Sequence, residues 1–93
     1  MFRMRMDLPI SKNENIQWKL IEDKAVLLEI DEGIVFELDD MASKIWLTID
    51  GRKTGKDIVD YLVENFEVER AQAERDLYRF LKDLFRAEVI NLV

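Results

Sequence analysis

The chain reads as an α+β domain of winged helix-turn-helix type: a three-stranded antiparallel meander, then three helices and a short terminal strand. Three observations predict this. Apolar stretches of strand length recur at 16–21, 25–30 and 34–38, with turn residues between them. From Asp39 the apolar spacing becomes helical and stays so, in three blocks, to residue 86. The last five residues, 89–93, return to an extended pattern.

The elements follow in order. Residues 16–21 alternate, with Ile16, Trp18 and Leu20 on one face, which predicts a half-buried strand. Glu22-Asp23-Lys24 is a polar turn. Residues 25–30 are apolar on both faces and belong at the centre of the sheet. Asp31-Glu32-Gly33 fits a short hairpin loop, with Gly33 supplying a positive φ. In the third strand Ile34, Phe36 and Leu38 share one face, and Val35 and Glu37 the other. Asp39 or Asp40 caps the first helix, where a carboxylate accepts the free N–H groups. Ala42, Ile45, Trp46 and Ile49 form its inner face, and Asp50-Gly51 ends it. Thr54 with Asp57 makes a capping box for the second helix, lined by Ile58, Leu62 and Phe66. The third helix, 69–86, turns Ala73, Leu77, Phe80, Leu81 and Leu84 inward. Residues 1–15 show no period. Pro9, Ser11, Asn13 and Asn15 predict an extended N-terminal arm whose three methionines pack loosely on a single domain, 16–93.

Composition narrows the function. Ninety-three residues make one core. A net charge of −6 argues against nucleic acid and against an anionic membrane surface, since both require a basic surplus. No segment approaches the about 20 apolar residues of a membrane span, and the first residues lack the apolar core of a signal peptide. A cytoplasmic location is expected. There is no cysteine and no histidine, which removes thiolate chemistry, disulfides and imidazole bases together. Ser43 lies within a helix and outside any nucleophile elbow. Asp39-Asp40 is better explained as a helix cap than as a metal site, and Asp31-Glu32-Gly33 lacks the acidic ladder of a calcium loop. No catalytic residue, metal site or cofactor is expected. The charges of the third helix have mixed signs and read as a solvated face.

One ordered set of residues carries a resemblance. Leu38-Asp39 opens the first helix, followed by Ala42, the pair Ile45-Trp46 and the turn Asp50-Gly51. Thr54 and Ile58 mark the second helix, and Asp76-Leu77, Phe80-Leu81 and Leu84 the third. The set resembles the PqqD family, whose fold is also called the RiPP precursor peptide recognition element, over about residues 16–93. Two positions depart from the family pattern: Leu-Asp stands for the commoner Leu-Asn, and Ala87-Glu88 stands where a glycine often precedes the last apolar pair.

The resemblance implies a non-catalytic, peptide-binding adaptor. Such proteins bind the leader part of a ribosomally made precursor and present it to a modifying enzyme, such as a radical S-adenosylmethionine protein, a peptidase or a cyclase. It implies that the leader adds as a strand to the 34–38 edge, an apolar stretch of Ile34, Val35, Phe36, Glu37 and Leu38 with one charge and no proline. Ile34, Phe36, Leu77 and Phe80 are then the pocket floor, and Arg75, Asp76, Arg79 and Asp83 flank it. From the residues alone, Phe36, Leu77 and Phe80 fit a plain core equally well. Two other uses of the architecture stay open: a winged-helix DNA-binding regulator, and a homodimer pairing two third strands.

Overall fold

The computed structural model describes residues 5–92. Its elements are β1 (Ile10–Lys12), β2 (Ile16–Ile21), β3 (Lys24–Glu29), β4 (Ile34–Glu37), α1 (Asp40–Thr48), α2 (Gly55–Asn65), α3 (Arg70–Arg86) and β5 (Ile90–Leu92). β2, β3 and β4 form an antiparallel sheet in that order, and β1 pairs with β5 in a second, two-stranded sheet. No helix among the described residues is long and apolar enough to cross a membrane.

Two tight turns set the register of the meander. Glu22 and Asp23 both have positive φ, 52° and 69°, as a two-residue hairpin matched to the twist of its strands requires. Gly33 supplies φ 69° in the second turn. The Glu29 carboxylate accepts the amides of Asp31 and Glu32 there, at 3.0 and 2.7 Å. The resulting register places Trp18, Leu27 and Phe36 side by side on the inner face, and Gln17, Leu28 and Val35 on the outer one.

The step from β4 into α1 has almost no linker, and one hydroxyl makes it work. Leu38 donates its amide to the Ala25 carbonyl at 2.9 Å. An antiparallel pair would return the bond from the Ala25 amide to the Leu38 carbonyl. Here the Ser43 Oγ stands between the two. It accepts from the Ala25 N–H at 2.8 Å and donates to the Leu38 carbonyl at 3.2 Å. Ser43 is fully buried, so the first turn of α1 is stitched to the end of the β3–β4 ladder. Asp39, rather than Asp40, is the cap, its Oδ1 accepting from the Ala42 amide at 2.8 Å.

α2 starts with the expected capping box, in which Thr54 and Asp57 exchange bonds. α3 ends in a Schellman turn: Val89 donates to the Leu84 carbonyl and Glu88 to that of Phe85. Glu88 sits at the left-handed position of this turn, φ 61°. The departure from the family's glycine is therefore a strained residue at a position suited to glycine. The core lies between the inner sheet face and the helices, with Leu27, Ile45, Trp46, Ile49, Ile58, Leu77 and Leu81 nearly or wholly removed from solvent.

Three expectations change. Residues 10–12 are not a loose arm. Ile10 is 1% exposed, accepts from Gly51 and donates to Lys53. Lys12 reaches the Ile49 carbonyl at the C-cap of α1, a helix end with no basic residue of its own. Its ammonium lies 5.0 Å from the ring centroids of both Trp18 and Trp46. Burial lowers the pKa of Lys12, and Asp50 partly opposes this. Met6 packs against Gly55, where a Cβ would meet its sulfur at 2.7 Å. Met1 and Met4 lie outside the described residues. Second, β2 is less covered than its alternation implies. Ile16 is buried, but Trp18 and Leu20 are 39% and 45% exposed. Trp18 meets the buried Trp46 edge to face at 6.0 Å. Third, Phe80 is only half-buried, while Leu77, Leu81 and Leu84 are core.

Three outcomes follow from this geometry. Ser43→Ala leaves the Ala25 amide and Leu38 carbonyl without their bridge and should lower stability by about 1–3 kcal/mol in denaturant unfolding. Glu88→Gly relieves the left-handed residue and should raise stability by about 0.5–1 kcal/mol in the same assay. The Asp50 carboxyl accepts the amides of Arg52 and Lys53 and the Lys53 ammonium. Those bonds hold its pKa well below the ordinary 3.8. A depressed pKa contributes stability that is complete above the unfolded value and is lost as pH falls through the folded one. Thermal melting across the acid range should therefore be less steeply pH-dependent in Asp50→Asn than in the wild type.

Candidate functional site

The alternation of bonds along β3–β4 decides what the free edge of β4 offers. Because Leu38 pairs through its backbone with Ala25, the residues two and four positions earlier, Phe36 and Ile34, also point their N–H and C=O groups at β3. Val35 and Glu37 point theirs the other way. β4 is the last strand of its sheet, so these groups face outward in a row. The side chains at the edge are apolar and accessible: Ile34 is 42% and Val35 59% exposed. The opposite edge, β2, carries Lys19 at its middle, a common device against edge pairing.

α3 lies beside this edge and runs antiparallel to it. Two hollows of about 340 Å3 each mark the cleft. At the end of β4, one is lined by Asp39, Met41, Ile45, Phe66, Asp76 and Phe80, with Leu77 at its base. At the start of β4, the other is lined by Ile34, Phe36, Arg86, Ala87 and acidic residues that include Asp31, Glu32 and Glu88. The two hollows share no lining residue: the second sets Ile34 and Phe36 of β4 against Arg86 at the end of α3, and the first gathers Asp76, Leu77 and Phe80 with residues of α1 and the α2–α3 junction.

The eleven residues singled out in the sequence divide accordingly. Ile34, Phe36, Asp76, Leu77 and Phe80 line the hollows. Val35 and Glu37 put their side chains on the outer sheet face and their backbone groups on the open edge. Leu38 is half-buried against the core. Arg75, Arg79 and Asp83 are exposed and line neither hollow. Arg75 donates to the Gln72 Oε1 at 2.8 Å, and Gln72 in turn donates to Asp76 at 2.9 Å. Met41, Phe66, Val68 and Arg86 were missed. Val68 falls at the α2–α3 junction, where periodicity gives no face, Phe66 reads from its spacing only as the inner face of α2, and Met41 is an apolar residue in the first turn of α1. The Lys44 ammonium rests 5.3 Å from the Phe66 ring centroid.

The region offers main-chain donors and acceptors along the β4 edge, with apolar side chains in the hollows nearby and charged groups around them. The Ser43 hydroxyl is spent on the fold. Comparison with known proteins agrees with the architecture. The family model of coenzyme PQQ synthesis protein D (PqqD) matches residues 24–90. The chain belongs to the PqqD family. Among solved structures it is similar to TbiB1 in complex with the TbiA(beta) leader peptide, with a TM-score of 0.82 and 32% identity over 87% of this chain and 94% of that one. It is also similar to lasso peptide synthetase B1 complexed with the leader peptide, with a TM-score of 0.79 and 26% identity over 88% and 96% of the two chains. No curated protein matches it.

Proposed function

We propose that this protein is a non-catalytic adaptor that binds the leader segment of a ribosomally synthesised precursor peptide and presents it to a modifying enzyme. The outward main-chain groups of Val35 and Glu37 carry the reading. They offer ladder bonds to an extended peptide, next to a cleft that takes its alternate side chains. The two solved relatives, both complexed with leader peptides, support it. Main-chain bonding gives affinity that tolerates sequence. Ile34 and Phe36 on one side, and Leu77 and Phe80 on the other, supply the apolar contacts, while Asp76 stands at the rim. The chain contributes binding and placement, and the partner supplies the reaction.

The test is an amide NMR titration of the labelled protein with leader segments of short peptides encoded beside its gene. Shifts concentrated in 34–38 and 73–84 are expected. Val35→Pro is the sharpest variant. It deletes an outward amide but leaves the β3–β4 ladder its bonds, whereas the same change at Phe36 would break that ladder. Val35→Pro should stay folded and bind about tenfold more weakly or worse, while Val35→Ala should bind nearly as the parent does. Full affinity in a folded Val35→Pro protein would rule out strand addition at β4. Light scattering on the free protein tells whether two β4 edges pair with each other instead.

A further inference from the structure

The outer face of α3 breaks a local rule. Arg75, Arg79, Lys82 and Arg86 succeed one another at spacings of four, three and four, which stacks four cations in one stripe. Like charges at these spacings repel and weaken a helix. Composition does not force the arrangement, because the chain holds 20 acidic residues against 14 basic ones. Yet α3 carries five cations and only three anions, Glu74, Asp76 and Asp83. Such departures from local consistency are where functional sites are expected.

The stripe lies opposite the core face of Ala73, Leu77, Leu81 and Leu84. Arg75, Arg79 and Arg86 are exposed and Lys82 is half-buried. Among the described residues no ion pair engages Arg75, Arg79 or Lys82, although Asp76 and Asp83 stand within one turn of Arg79. None of these three lines a hollow beside β4, but Arg86 does, at the end of the stripe. The stripe therefore starts away from the peptide cleft and finishes at its rim.

We infer that this stripe docks an acidic surface of the modifying enzyme, a reading that rests on the adaptor function proposed above. Guanidinium groups pair with carboxylates in a fixed fork and steer oppositely charged surfaces together. An enzyme seated there leaves the β4 edge open and meets the peptide where it passes Arg86, Ile34 and Phe36. The rest of the chain is strongly acidic and repels phosphate, so the stripe suits a protein partner better than nucleic acid.

The full chain and its Arg75→Gln/Arg79→Gln/Lys82→Gln variant test this in three measurements. Thermal melting should show the variant no less stable than the parent, since like-charge contacts are removed. Amide titration with the leader segment that binds the parent should give affinities within about twofold of each other. Leader-dependent modification by the enzyme encoded beside the gene should fall about tenfold or more in the variant, and the parent's rate should fall with added salt. Unchanged modification overturns the inference. Loss of leader binding in the variant overturns it too, by assigning the stripe to the peptide cleft. Salt-sensitive binding of duplex DNA by the parent, with modification unaffected by the variant, assigns the stripe to nucleic acid and overturns it as well. If the parent itself binds no leader segment, the adaptor reading fails, and this inference fails with it.

Discussion

The Ser43 hydroxyl, set between the Ala25 amide and the Leu38 carbonyl, is the contact on which the rest of the molecule depends. A buried hydroxyl with one donor and one acceptor satisfied lets a helix begin directly from a strand without leaving the strand's last polar groups dry. It fixes α1 against β3. It also sets the phase of the β3–β4 ladder, because Leu38 must face Ala25. From that phase it follows that Phe36 and Ile34 bond inward while Val35 and Glu37 bond outward. A one-residue slip would swap these roles, and it would turn Ile34 and Phe36 away from α3. The chemistry of the free edge is thus decided by a residue that never touches it.

Much of this was legible because the signals are local. Thr54 and Asp57 announce their capping box, Gly33 its turn, and the apolar period of α3 its buried face. What escaped was non-local. β1 has three residues and one buried apolar side chain, too few to make a period, and its partner strand lies some eighty positions away. Lys12 stands in a stretch without a period, so nothing local shows that it serves the end of α1 and two tryptophans. Ser43 was legible as a helical serine, not as a bridge. At the cleft, residue type and spacing picked out Phe36, Leu77 and Phe80. Only the packing separates Leu77, which is core, from Phe80, which is half-exposed beside the hollow.

Charge shows the same limit. Net acidity, read over the whole chain, pointed away from phosphate partners and hid the basic stripe of α3, where mixed signs looked like an ordinary wet surface. Spacing separates the two readings: Arg75, Arg79, Lys82 and Arg86 fall in line, while Glu74, Asp76 and Asp83 fall to either side. The molecule thus carries a cationic ridge on an anionic body, with the open strand edge beside it.

The pairing of β1 with β5 has a mechanical consequence. Ile10 stands opposite Leu92 and Lys12 opposite Ile90, so the outer ends of the two strands lie at the same side. Tension applied through the chain's two ends would load these pairs one after another, as in peeling tape, instead of shearing all of them together. The first pair to part would free Ile10 from the core and from the α1–α2 turn. The last hold would be the Asn13 side-chain and main-chain bonds to Glu88 and Val89. A pull on the N-terminal side meets the Met6–Lys56 bond and the Pro9–Thr54 bridge first, and then the β1–β5 pairs one at a time.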